Sequence, residues 1–219
     1  MASAPFWSDA YREVPPWDIG RPQPEFVDLY ASGDLPKGKL LDVGCGTGEN
    51  ALFFAGKGFQ VLGIDIVSRA IDLAKGKSRD RGIPADFRVA DALALPRLRR
   101  SFDVVIDSGL FHTFADEQRP VYLSGVASVL RKDGVFATLC FSEKEPADWG
   151  GPRRVSREEI EASFEPHLTI EEIREARFAS RFHRGRGGYA YLTVARQRSR
   201  PRPRRHGSAP RTRVAENPR

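Results

Sequence analysis

The segment from Lys39 to Asn50, KLLDVGCGTGEN, constrains the fold of this chain more than any other stretch. Leu40, Leu41 and Val43 form a short apolar run suited to a buried strand. Gly44, Gly46 and Gly48 then turn the chain sharply before a helix expected from Glu49 to Lys57. Glycine is needed where a turn takes φ values other residues resist and where a ligand lies on bare backbone. The spacing is Gly-x-Gly-x-Gly, whereas a dinucleotide fingerprint has its third glycine one position later, where this chain carries Glu49. A carboxylate at a helix N-terminus competes with a pyrophosphate for the same amides and dipole. The loop therefore suits an amino-acid-bearing nucleoside without phosphates; the bland alternative is a glycine-rich turn in some other α/β protein.

The segments that follow repeat the theme of a strand ending in an acid. Gln60 to Asp65 (QVLGID) is a second short strand, and Asp65 falls 17 residues after Gly48 and 21 after Gly44, near where an acid grips a ribose in a nucleotide-binding βαβ unit. The same aspartate is also suited to cap the helix expected to start near Ser68, and the two roles are compatible. Ala85 to Asp91 gives a third strand ending at Asp91-Ala92, where an acid can accept from an adenine amino group. Phe102 to Gly109 (FDVVIDSG) gives a fourth, ending in Asp107-Ser108. Further on, Asp116 to Arg131 has helical spacing, Asp133-Gly134 introduces a strand from Val135 to Phe141, and Ser156 to Glu159 outlines a capping box for a helix through Phe164. His167 to Arg174 and Tyr189 to Ala195 read as the last two strands. Strands alternating with helices imply a mostly parallel sheet.

With these residues in place the chain resembles the class I S-adenosylmethionine (SAM)-dependent methyltransferases from about Trp7 to Arg196. Asp42, Gly44, Gly46 and Gly48 match the family's methionine-binding loop. Asp65 matches its ribose acid, with Ile66 beside it, and Asp91 with Ala92 its adenine-side pair; Asp107 joins the same cofactor-binding set. The stretch Pro15 to Phe26, PPWDIGRPQPEF, is similar to the leading segment of the thiopurine, thiol and halide methyltransferase branch, where a tryptophan in a PWD-x-G context packs by the cofactor. Trp17 is the match, preceded by Trp7 and Tyr11 as a WxxxY. Ile106 to Phe114, IDSGLFHTF, resembles a bacterial sub-branch acting on hydroxylated heteroaromatics such as hydroxyquinolone-type toxins. The resemblance implies a Rossmann-like three-layer α/β sandwich with a seven-stranded, mostly parallel sheet and an antiparallel last strand. It also implies SAM as cofactor, an N-terminal helical cap and cofactor lid over 1–38, and a methyltransferase core over 39–197.

Methyl transfer from a sulfonium is an in-line displacement that asks for a positioned nucleophile and exclusion of water. Trp17 and Trp7 are suited to give the positive sulfonium an aromatic lid, or serve as ordinary hydrophobic cover. His112, between Phe111 and Thr113-Phe114, is the acid–base candidate: a neutral imidazole there would take a proton from a phenol or N-hydroxyl, unless it is a structural loop histidine. His167, His183 and His206 are given no role. Phe141-Ser142 and Trp149 are candidates for closing the acceptor end, and Arg181, Arg184 and Arg186 either attract an anionic phenolate or belong to a solvated basic loop. The acceptor expected is a small phenolic or heteroaromatic molecule. A thiol, thiopurine or halide is the alternative, since a thiolate or halide needs little base.

Charge is informative only once divided. The net charge is +6, yet the segment from Arg196 to Arg219 carries nine arginines and one acid, Glu216, for +8, leaving about −2 for the rest. This Arg/Pro-rich tail, taken as 198–219, has almost no apolar content and is expected to be disordered. It either attaches weakly to nucleic acid or anionic surfaces through counterion release or is a solvated extension. A nucleic-acid methyltransferase is disfavoured because Asp107-Ser108-Gly109-Leu110 is not the Asn/Asp-Pro-Pro-Tyr/Phe that grips an exocyclic base nitrogen. No apolar run has membrane-spanning length, the N-terminus lacks signal-peptide features, and two cysteines, Cys45 and Cys140, without zinc spacing imply no metal and a reducing, cytoplasmic setting.

Overall fold

In the computed structural model, which describes residues 4–146, 151–183 and 186–198, the alternation of strand and helix becomes one seven-stranded sheet. The chain runs α1 (Ala4–Ala10), α2 (Pro24–Ala31), β1 (Lys39–Val43), α3 (Glu49–Gly56), β2 (Gln60–Asp65), α4 (Ser68–Asp80), β3 (Asp86–Val89) and β4 (Phe102–Ser108). It continues through α5 (Arg119–Val129), β5 (Leu130–Phe141), α6 (Arg157–Phe164), β6 (Leu168–Phe178) and β7 (Gly188–Gln197). The strand order is β3-β2-β1-β4-β5-β7-β6. β1 to β5 pair in parallel, and β7 lies antiparallel to both β5 and β6. From β1 the sheet grows outward in both directions, so the loop after β1 lies at the switch point where α/β sheets gather ligands.

The central strands are apolar because both faces are covered. One core cluster joins Phe26, Leu52, Phe54, Ile71 and Phe87 to one face, and a second joins Leu95, Tyr122, Val126, Ile160 and Phe164 to the other. Helices α2, α3 and α4 thus pack on one side and α5 and α6 on the other, completing three layers. Phe54, fully buried, meets Phe53, Phe59 and Tyr30 edge-on at 5.2, 5.4 and 6.3 Å. Truncating such a ring costs about 3–5 kcal/mol through lost burial and the cavity left behind.

Several boundaries differ from the sequence expectation, each for a tertiary reason. β5 begins at Leu130, not Val135, because its start pairs with Phe102 of β4 before an irregular stretch around Asp133, whose φ is 63°. β3 is only Asp86–Val89, so Asp91 lies beyond it and caps a 3-10 helix over Ala92–Leu98 by accepting the Leu93 amide at 2.8 Å. β6 runs on to Phe178 because the β7 ladder extends to the Phe178–Gly188 pair. The capping box forms as expected, with Ser156 and Glu159 bonding each other's backbone amides. Trp149, Arg184 and the Arg-rich tail beyond Arg198 lie outside the described residues.

Candidate active site

The loop after β1 is stitched to the end of β2. Cys45 N–H donates to the Ile64 carbonyl at 2.9 Å, and Gly46 N–H donates to Asp65 Oδ2 at 2.9 Å. The other Asp65 oxygen accepts the Val67 amide at 2.9 Å, which sets the start of α4. Asp65 therefore ties down the glycine loop and holds the turn into α4, but it does not cap that helix, whose N-cap is Val67 with no side-chain cap. Burial raises its pKa, and the amide bonds of Val67 and Gly46 oppose that rise. Ile66, just beyond, is half exposed at the strand end.

Two glycines are dictated by close approach. Gly46 has φ 53°, and a Cβ there would lie 2.9 Å from the Tyr11 hydroxyl. Gly48 has φ 87°, and a Cβ there would meet the Phe87 ring at 2.9 Å. The first contact reveals how the N-terminal segment lies over the loop. Tyr11 accepts a 3.2 Å hydrogen bond from Trp17 Nε1, and Trp17 packs edge-on against Trp7 at 5.7 Å.

Asp18 is the charged anchor of that segment. Its carboxylate accepts from Thr47 Oγ1 at 2.6 Å, from the Gly20 amide at 2.9 Å and from Lys77 at 3.4 Å. Burial pushes its pKa up, but these donors outweigh it and hold the carboxyl below the usual range. Lys77 also reaches Thr47 at 2.6 Å and Glu49 at 2.7 Å, and Arg81 grips Glu49 with bonds of 2.7 and 2.8 Å. This corrects the role expected of Glu49. Its carboxylate is turned onto α4, not held over the α3 amides, and Lys77 is fully engaged rather than offered to a phosphate.

The groove between the N-terminal segment and the loop, about 50 Å³, is lined by Trp17, Asp18, Gly44, Gly46, Ser108 and Phe178 among others. Trp17, Gly44 and Gly46, expected to contact the cofactor, are among its lining residues. Asp42 and Asp107 do not line it. Asp107 is fully buried, accepting from the Leu110 amide at 2.8 Å, the Phe111 amide at 3.0 Å and the Tyr122 hydroxyl at 3.0 Å. Its side chain shapes the loop after β4, which corrects the expected direct cofactor contact. Asp42 is 1% exposed, and neither carboxylate oxygen has a hydrogen-bond partner. Burial, with Asp107 nearby, pushes its pKa up to about 8, so Asp42 keeps a proton that the well-bonded Asp107 releases more readily.

His112 lies in the loop after β4, as expected, but not in the state expected. Its Nδ1 accepts the Phe141 amide at 3.1 Å, so the proton of the neutral ring belongs on Nε2. The ring stacks on Phe141 at 5.1 Å and lies 6.0 Å from Phe178. Burial, then the nearby Arg119 and Arg154 charges, push its pKa down to about 3. A ring whose lone pair is already taken is a donor through Nε2, not a base. That corrects the acid–base role expected of it.

His183, given no role from sequence, is held at both nitrogens: Nδ1 lies 2.6 Å from Ser180 Oγ and Nε2 2.8 Å from Glu145 Oε1. Its segment is fastened to the N-terminal one. Gln23 exchanges two 2.9 Å bonds with the Ala179 backbone, and Arg181 reaches the Pro16 and Asp18 carbonyls at 2.9 and 2.8 Å. Sequence reasoning passed over Thr47, Lys77, Gln23 and Phe178. The Asp in the PWD stretch was the one visible signal, since a short acid beside two prolines and a glycine marks a fixed turn.

Known proteins match this arrangement. Residues 40–134 match the model of a methyltransferase domain. A 2-heptyl-1-hydroxyquinolin-4(1H)-one methyltransferase of Mycobacteroides abscessus is 35% identical over 165 residues, covering 74% of this chain and 72% of its own. A probable thiol methyltransferase 2 of Arabidopsis thaliana is 30% identical over 67% of this chain and 65% of its own length. Among solved structures, one concerned with conversion of a disulfide bond into a thioacetal group during echinomycin biosynthesis superimposes with a TM-score of 0.79. It is 34% identical and covers 89% of this chain and 93% of that one.

The chain belongs to the class I SAM-dependent methyltransferases. Within that class it is an enzyme of small-molecule methylation, with hydroxyquinolone and thiol methyltransferases as relatives. Among the described residues, no helix is long and apolar enough to cross a membrane.

Proposed function

We propose that this enzyme methylates the hydroxyl oxygen of a phenolic or hydroxylated heteroaromatic compound. The donor's amino-acid end would be held by the Gly44–Gly48 loop, its ribose by Asp65, and its adenine by Ile66, Asp91 and Ala92. The residues suit that group: the loop's left-handed glycines present bare backbone, and Tyr11 and Trp17 present aromatic faces favourable to a cation. When bound, SAM supplies an electrophilic methyl group on sulfur. The chain's own contribution is to position the acceptor and exclude water, with the N-terminal segment and the β6–β7 loop fastened together over the groove.

The observation that carries the choice of acceptor is the aromatic cluster beside the groove. Phe141 and Phe178 lie 4.8 Å apart with His112 against both, and Phe178 is also a groove wall. Of these three buried rings Phe178 lines the groove, and its flat apolar wall, backed by Phe141 and His112, complements a heteroaromatic ring. The 35% identity to an enzyme named for a hydroxyquinolone agrees. Parallel turnover assays with a hydroxyquinolone and a small thiol test the proposal, and methylation of the thiol alone would overturn it.

A sulfur acceptor is the second reading. It is favoured by the 30% identity to a probable thiol methyltransferase and by the likeness to a structure concerned with thioacetal formation.

A further inference from the structure

We propose that Glu145, His183 and Ser180 form the proton relay that deprotonates the acceptor, with His183 Nδ1 as the proton's destination. This rests on the oxygen-methylation reading above, and it moves the acid–base role from the loop after β4 to the one between β6 and β7.

The polarity of the relay follows from its partners. Glu145 is 5% exposed, and its Oε2 accepts the Tyr189 amide while Oε1 faces His183 Nε2 at 2.8 Å. In the proposed relay the Glu145 carboxylate accepts from Nε2, which leaves Nδ1 as the acceptor, 2.6 Å from the Ser180 hydroxyl. A hydroxyl held against a carboxylate-backed imidazole is the arrangement by which an O–H proton is drawn off. His112 has the opposite arrangement, its Nδ1 lone pair blocked by a backbone amide.

Glu145, Ser180 and His183 do not themselves line the groove but are joined to it through neighbouring residues. Phe178, a wall of the groove, is two residues before Ser180. The His183 ring lies 5.9 Å from Phe141, which stacks on His112. Arg181, between Ser180 and His183 in sequence, bonds the Asp18 carbonyl, and Asp18 also lines the groove. Glu145 comes from the exit of β5, Lys144 beside it pairs with Glu175, and Arg186 gives its backbone amide to the His183 carbonyl at 2.9 Å.

The step balances without a further reactant. The acceptor O–H gives its proton to His183 Nδ1, directly in place of Ser180 or through the Ser180 hydroxyl. The oxygen lone pair forms the O–CH₃ bond as the S–CH₃ electron pair returns to sulfur. The products are the methyl ether, S-adenosylhomocysteine and an imidazolium paired with Glu145, which later returns its proton to water.

The test compares acceptors that need a base with acceptors that do not. On an un-ionised phenol, His183→Gln should lose about 10²- to 10⁴-fold in kcat, the span of positioned base catalysis. On 4-nitrophenol under conditions where it is already ionised, the loss should shrink below about threefold, because no proton remains to be moved. Glu145→Gln should follow the same pattern, and imidazole should partly restore His183→Ala. A readout without turnover is the spectrum of 4-nitrophenol bound to the S-adenosylhomocysteine complex. Wild type should favour the nitrophenolate, and His183→Gln the neutral phenol.

Equal losses on both acceptors, or an unchanged bound spectrum, would overturn the relay. Calorimetric binding of S-adenosylhomocysteine confirms that each variant is folded. If thiols alone are turned over, the oxygen reading fails by itself. A weakly acidic alkanethiol compared with an ionised aromatic thiol then judges His183 separately.

Discussion

The Phe141 amide donates a 3.1 Å hydrogen bond to His112 Nδ1, and the two rings stack at 5.1 Å with 15° between their planes. That pairing fixes the tautomer and removes the lone pair a base would need. His112→Phe should therefore keep cofactor affinity and lower turnover through lost acceptor positioning. With the imidazole pKa near 3, the pH–rate profile from about pH 5 to about pH 9 should keep its wild-type shape. A variant profile that loses an ionisation in that window would restore the base role.

The Asp18–Thr47 bond at 2.6 Å joins the N-terminal segment to the glycine loop, with Lys77 completing the network. Asp18→Asn should weaken S-adenosylhomocysteine binding by roughly tenfold, about the worth of one or two charge-assisted bonds. Thr47→Val should do the same, and the double variant should lose less than the product of the two. Isothermal titration on the four proteins measures the coupling, and independent losses would break the latch.

Asp65 accepts one backbone amide from the loop and one from the start of α4, both at 2.9 Å. Asp65→Ala leaves both amides without their acceptor and should cost about 1–3 kcal/mol of stability as well as cofactor affinity. Urea unfolding without ligand separates the two effects. Unchanged stability with weaker binding would assign Asp65 to the cofactor alone.

The buried acids and the buried histidine pull stability in opposite directions with pH. Asp42, pushed up to about 8, holds in the folded state a proton that an unfolded aspartate has lost. Its contribution is complete at acid pH and declines as pH rises toward 8. His112, pushed down to about 3, refuses a proton that the unfolded histidine would take, so its contribution is lost as pH falls through the window from its ordinary value toward 3. Above about pH 6.5 the histidine effect is spent, and Asp42 together with Asp107, which burial raises to about 7, should make the unfolding free energy decline up to about pH 8. Asp42→Asn should flatten that decline in urea titrations at several pH values. An unaltered slope would place the shared proton elsewhere.

The early part of the fold could be read in the sequence because local signals and tertiary demands agree there. β1, α3 and β2 have compact apolar runs, turn glycines and terminal acids, and their bounds barely moved. Agreement faded toward the C-terminus. β6, rich in Glu and Arg, is held as a strand by its ladder with β7, and cross-strand hydrogen bonds leave little trace in composition.

At the site, residue types were legible and their partners were not. KLLDVGCGTGEN and PWDIG carried the resemblance that implied the fold class and the cofactor, and their physical content is a turn whose φ glycine permits and a strand with apolar faces. Only the tertiary structure decided what each charged or titratable side chain does. Glu49 turned onto Lys77 and Arg81, Asp107 turned inward to hold its own loop, His112 received a backbone amide, and His183 received Glu145. Protonation and hydrogen-bond direction depend on neighbours distant in sequence and on burial, and neither is encoded in the spacing of a motif.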